Sequence, residues 1–310
     1  MSIPVSVIVP NYDSGTFLYD CIRSINDGIP PEEIIIVDDV STDGSLQVAY
    51  EMSRTYANVR VMVRDRNGGA AEARRVGIHA AKCEWIACVD ADDYLDSGAV
   101  EAAYETAVRT GADVCIWQMW RSTPEGESRH LALDGLSFPM TGREAVLLTL
   151  GTWRIHPLGV SRKRNYVAAY DGFEETSWNA DELITRLVLA NADRISLCDK
   201  RYYYRIHPSS SSQALRPRRL SELDSHLWLI RFCHEHSVPQ AIVERIVLNA
   251  IGFAWFLMRN RQGIGIQATH RAVRSFVAEL QRAQPVWPWI LRRPKHLFAL
   301  LAISVLVRVQ

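Results

Sequence analysis

The chain has 310 residues, enough for about two domains at roughly 150 residues each, or for one enlarged α/β domain with a helical extension. A composition of 48% hydrophobic and 23% charged residues excludes a disordered tail, a collagen-like fibre and a disulfide-dense mini-protein. The balance of 35 basic against 35 acidic residues leaves no broad electrostatic footprint for nucleic acid.

Apolar runs alternate with helix-period segments through the first 120 residues. Val5 to Val9 predicts a strand and Gly15 to Asp27 a helix; Glu33 to Val37 predicts a second strand, and Ser41, Thr42 and Asp43 open a second helix. Val59 to Val63, a helix over Ala70 to Lys82, Trp85 to Val89, a helix over Ser97 to Thr110 and Val114 to Trp117 continue the pattern. Continuous β-branched runs joined by single helices predict an α/β fold, a Rossmann-like, mostly parallel sheet flanked by helices. Its ligands are expected beyond the carboxyl ends of the strands. From Ser122 to Pro139 the pattern dissolves into a loop or short hairpin, and helix periods return at Gly142 to Leu150 and Asp181 to Ala190. After Pro208 to Ser212 the composition turns helical and rich in Trp, Leu and Arg, so a catalytic domain is expected over 1–215 and a helical extension over 216–310.

The six cysteines form no C-x-x-C pair and are expected reduced and buried, as in the cytoplasm. Met1 to Val5 lacks a basic leader, which speaks against a secretory signal.

The first strand ends in Pro10-Asn11-Tyr12-Asp13-Ser14-Gly15, without the G-x-G-x-x-G of a dinucleotide site. The second ends in Asp38-Asp39, two carboxylates where ligands bind, one of which can accept the N–H of a nucleobase. Helix capping accounts for Ser41 to Asp43 better than for this pair. The fourth strand ends in Asp90-Ala91-Asp92-Asp93; so many carboxylates repel one another without a compensating cation, and an all-oxygen set suits Mg²⁺ or Mn²⁺.

Val5 to Tyr12, Val37 to Ser45, Asn67 to Ile78 and Asp90 to Leu95 together resemble, in order and spacing, family 2 glycosyltransferases of the type A nucleotide-sugar fold. The resemblance extends weakly through Tyr204 to Ser209 and covers about two thirds of the chain. It implies that Pro10 and Tyr12 line a nucleobase pocket, that Asp39 accepts the uracil N–H with Asp38 supporting its loop, and that Arg74 reaches the nucleotide. It also implies Asp92 as ligand of an Mn²⁺ or Mg²⁺ ion on the diphosphate, with Asp90 and Ala91 beside the nucleotide. Arg205 and His207 match a loop that closes over the diphosphate, and their alternation with apolar residues puts them on one side of an extended segment. The catalytic base falls on Asp181, with Glu182 or Glu175 as substitutes, because Ala180 stands where the family usually has glutamate. Arg162, Lys163 and Arg164 read as a charge run before they read as an acceptor-side site.

The implied function is inverting transfer from a nucleoside-diphosphate sugar, UDP-linked, to a glycan or lipid-linked acceptor. The alternatives are a sugar nucleotidyltransferase, for which the first strand lacks a Gly-rich, Arg-containing loop, and a non-catalytic carbohydrate- or partner-binding module, which Ala180 favours and Asp39, Asp90 and Asp92 oppose. At the C-terminus Trp287 and Trp289 stand beside Arg292, Arg293 and Lys295, ahead of the apolar Leu297 to Val307. That run is too short to span a bilayer, which takes about 20 residues. The composition suits peripheral contact with the inner membrane face; a last helix packed on the catalytic domain would bury the same tryptophans.

Overall fold

The computed structural model describes residues 1–131, 133–150, 153–171, 180–207 and 217–283. Their strands form one sheet of nine: β1 (Ile3–Asn11), β2 (Pro31–Asp38), β3 (Val59–Val63), β4 (Trp85–Cys88), β5 (Tyr94–Leu95), β6 (Val114–Thr123), β7 (Gly126–Arg129), β8 (Gly159–Arg162) and β9 (Ile195–Arg205). The order is β3-β2-β1-β4-β8-β6-β9-β5, with β7 paired to β6. Parallel ladders join β1 to β2 and β4, β2 to β3, and β6 to β9, while β8 runs antiparallel between β4 and β6. The segment from 122 onward takes the hairpin form, since β6 reaches Thr123 and turns back into β7.

Helices cover both faces of the sheet, which is why its central strands are apolar without alternation. One face carries α1 (Phe17–Ile25), α2 (Ser45–Thr55) and α4 (Ala99–Thr110), whose Leu18, Ile22, Ala49, Val100 and Ala103 pack with Val5, Val7, Val9, Ile34 and Ile36. The other carries α3 (Ala70–Ala80), where Gly77 lies against Ile8 and Val37. The chain continues through α5 (Gly142–Thr149), opened by a Thr141–Glu144 capping box, α6 (Lys163–Asp171) and α7 (Ala180–Ala190).

Two units emerge. The first comprises Met1–Glu174 and Ile184–Ser209 and holds the whole sheet; the second comprises Glu175–Leu183 and Ser210–Gln310. The second unit thus takes in the start of α7, which the sequence placed with the sheet. Its described helices are α8 (Glu222–Glu235), α9 (Gln240–Arg259), the short α10 (Arg261–Ile264) and α11 (Ile266–Ala283). By length and composition α9 is apolar enough to cross a membrane. Its buried Val243, Ile246, Val247, Ala250, Ile251, Ala254, Leu257 and Met258 recur at the spacing of one helix face. All six cysteines are buried and free.

Candidate functional site

The parallel register brings the expected residues to one end of the sheet. Asn11 lies opposite Asp38, and Ile8 opposite Cys88, so Asp90 leaves β4 at the level of Pro10 on β1. Pro10 is buried and Tyr12 is 51% exposed. Asp38, fully buried, accepts hydrogen bonds from Asn11 Nδ2 at 2.6 Å, Ser41 Oγ at 2.6 Å and the Ser41 N–H at 3.0 Å. These bonds tie it to the loop that carries its neighbour. Asp39 is buried too, and accepts the N–H groups of Gly68 at 3.1 Å and Gly69 at 2.6 Å together with the Arg64 guanidinium. The Gly68 N–H lies 3.1 Å from both carboxylate oxygens, so each oxygen of Asp39 is met by two donors. Arg64 was not singled out in the sequence, where it is one charge of Arg64-Asp65-Arg66; only its closeness to Asn67-Gly68-Gly69 pointed to it.

At the end of β4, Arg74 donates to Asp90 at 2.5 Å, and His207 Nε2 lies 3.0 Å from Asp92 Oδ2. Ala91 is buried between them. The side chains of Asp90 and Asp92 are each 36% exposed. Asp93 differs: it is 1% exposed and accepts from the Tyr202 hydroxyl at 2.5 Å and the Arg205 N–H at 2.8 Å. Burial, followed by the charges of Asp90 and Asp92, pushes its pKa well above the usual carboxylate range. Tyr202 also accepts the Asp90 N–H at 3.2 Å, so β9 is fastened to the acidic turn at both ends. This tether carried no sequence signal beyond the apolar alternation of β9.

A divalent cation that travels with a diphosphate takes one or two carboxylates plus phosphate oxygens and water. Asp90 and Asp92 supply that many half-exposed carboxylates, and no group of three or more His, Cys, Asp or Glu side chains forms a cation site among the described residues. The donor set fits a cation that arrives with phosphates better than a resident one.

Arg205 and His207 share one wall, as their alternation predicted. The Phe17 ring lies 4.5 Å from the Arg205 guanidinium and 4.9 Å from the His207 ring. Arg205 donates to Asp20 at 3.2 Å. Both line a cleft of about 620 Å³ with Phe17, Asp20, Tyr94 and Ser122, beside the Asp92 end of the site. Arg162, Lys163 and Arg164 lie at the opposite end of the sheet. Arg162 pairs with Trp85, the first residue of β4, and stacks on its ring at 4.1 Å; Lys163 donates to the Ala81 carbonyl at 2.8 Å and Arg164 to Asp113 at 2.5 Å. The charge run is structural, and an acceptor-side role for it is set aside. Asp181 and Glu182 are the second and third residues of α7, within the second unit; their side chains, like Glu175, lie outside the described residues.

The family model for glycosyl transferase family 2 matches residues 6–166, a little over half of the chain. The chain is 31% identical over 160 residues to the glycosyltransferase GlyG of Streptococcus pneumoniae, covering 50% of this chain and 53% of that protein. To the poly(ribitol-phosphate) beta-N-acetylglucosaminyltransferase TarS of Staphylococcus aureus it is 28% identical over 204 residues, 64% of this chain and 35% of TarS. The matches thus span about half the length of these curated relatives or less. The crystal structure of S. aureus TarS 1–349 in complex with UDP-GlcNAc superposes with a TM-score of 0.68 at 22% identity, over 92% of this chain and 84% of that one, which establishes a shared fold.

Proposed function

The chain belongs to glycosyltransferase family 2, and from that premise we propose that it transfers a sugar from a UDP-linked donor to a hydroxyl of a glycan or lipid-linked acceptor, with inversion, in polysaccharide or cell-surface glycan synthesis. The observation that carries this is the convergence, at the carboxyl ends of β1, β2 and β4, of Asp39, Arg74, Asp90 and Asp92, each held by the chain itself. The relatives named for glycosyl transfer and the solved structure bound to UDP-GlcNAc support the same reading.

In this mechanism Pro10 and Tyr12 flank the nucleobase, and Asp39 accepts the uracil N–H. Arg74, already bonded to Asp90, adds positive charge beside the nucleotide, and Ala91 packs against it. Asp92, with Asp90, would hold Mn²⁺ or Mg²⁺, which supplies charge neutralisation at the diphosphate. Asp181, or Glu182 in its place, takes the acceptor proton as the acceptor oxygen bonds to the anomeric carbon and the bond to the phosphate oxygen breaks; general-base help of this kind contributes on the order of 10²- to 10⁴-fold. His207 and Arg205 meet the negative charge of the departing diphosphate. The enzyme works in the cytoplasm, with peripheral contact at the inner membrane face through its C-terminus, where a lipid-linked acceptor would lie.

Turnover of a panel of UDP-sugars with Mn²⁺, Mg²⁺ or EDTA tests the reading. Transfer or slow hydrolysis of one donor is expected, lost in Asp92→Asn and in EDTA. Silence with every donor overturns the enzymatic reading, and turnover untouched by EDTA removes the cation.

A further inference from the structure

The segment that leads into β8 passes the carboxyl end of β4, and one of its side chains is unaccounted for. Because Ala87 pairs with Val160 in an antiparallel ladder, the residues before Gly159 run past the carboxyl end of β4, alongside Asp90. His156 sits there. Its Nδ1 is buried and meets no hydrogen-bond partner among the described residues. An imidazole nitrogen taken from water and left unpaired is destabilising, so a buried one calls for an explanation.

Aromatic and cationic side chains surround it. The His156 ring stacks on Trp153 at 5.4 Å, and the Arg186 guanidinium lies over the same Trp153 ring at 4.1 Å. His130, whose Nδ1 is likewise buried without a partner, stacks on Tyr204 at 6.2 Å. Burial pushes the pKa of His156 down to about 4, opposed by the charge of Asp90 and reinforced by Arg74, Arg186 and His130. The ring is therefore neutral near pH 7, and a neutral imidazole nitrogen either donates or accepts, which matches a hydroxyl or amide rather than a phosphate.

Resting on the glycosyltransferase reading, we propose that His156 hydrogen-bonds the transferred sugar ring of the donor and so takes part in choosing which sugar is moved. Nothing in the sequence marks it, since it stands in Arg154-Ile155-His156-Pro157, outside every segment that carries the resemblance.

The test separates the sugar from the nucleotide. Binding of UDP, UDP-glucose and UDP-N-acetylglucosamine, with Mn²⁺ present, is measured for the wild type, His156→Phe and His156→Gln. Expected is a loss of about fivefold or more in affinity for the UDP-sugar that the wild type prefers, as one hydrogen bond implies, with UDP unchanged within about twofold and partial recovery in His156→Gln. Unchanged UDP affinity also reports that the variants are folded. Equal weakening of UDP and UDP-sugar would show a structural histidine, and no weakening at all would show a buried nitrogen satisfied by water; either overturns the proposal. A wild type that binds neither UDP nor any UDP-sugar overturns the parent reading and this one with it, whereas wild-type binding with either variant result above overturns this one alone.

Discussion

Val40, between Asp39 and Ser41, has φ of 66°, a region that a β-branched residue enters at a cost of roughly 1–2 kcal/mol. The surrounding bonds impose it: Asp38 draws in the Ser41 N–H and hydroxyl, while Asp39 turns the other way to the N–H groups of Gly68 and Gly69. The strain lies in the loop that presents Asp39 to the proposed uracil. Val40 is 38% exposed, so its side chain returns little burial energy. Val40→Gly should therefore raise stability by about 0.5–1 kcal/mol, the relief of strain exceeding the extra chain entropy of glycine, and should weaken UDP binding because the loop is freer. Calorimetric melting with and without UDP checks both signs, and a lower melting temperature would show that Val40 is not strained. The acidic residues here were legible because strand-end carboxylates announce themselves. Arg64, Tyr202 and His156 were not, since an arginine in a charge run, a tyrosine in an apolar strand and a histidine in a loop look ordinary until folding brings them to the same end of the sheet.

Among the elements, α3 depends on a glycine that costs it helix propensity. A methyl group on Gly77 would lie 2.4 Å from Ile8 Cγ2 and 3.1 Å from Val37 Cγ2, and both neighbours are fully buried. Alanine gains about 1 kcal/mol in the helix but overpacks the interface by roughly 1–3 kcal/mol. Gly77→Ala should thus lower the denaturant midpoint. Gly252→Ala in α9, where an added methyl meets nothing within 4 Å, should raise it; the same sign for both would refute close packing as the reason for Gly77. Of the strands that the sequence announced, β1, β2, β4 and the first four residues of β6 are the buried ones, where apolar runs are continuous, while β3 at the sheet edge is largely half-buried. The sequence did not announce β8 or the first half of β9. The first is four residues ending in Arg162 and admitted beside β6 only because Gly159 lacks a side chain, where a Cβ would fall 1.9 Å from the Cys115 carbonyl oxygen. The second interleaves Ser196, Asp199, Lys200 and Arg201 among its apolar residues, and only pairing with β6 makes it a strand.

For the whole molecule the charge balance decides how it could meet a membrane. Equal numbers of basic and acidic residues give no overall attraction to an anionic surface, so attachment has to be local. Arg292, Arg293 and Lys295, outside the described residues, would contribute on the order of 1 kcal/mol each near such a surface, and Trp287, Trp289 and the apolar Leu297 to Val307 would supply the second, hydrophobic signal that lasting attachment takes. Neither suffices alone. Flotation of the full chain with phosphatidylserine-containing vesicles should therefore succeed, weaken with neutral vesicles and weaken again in high salt, where the electrostatic share is screened. A chain ending at Gln284 should stay at the bottom of the gradient while keeping its affinity for UDP. A full chain that never floats, paired with a truncated one that aggregates, would show instead that the tryptophans and the apolar run are packed on the protein.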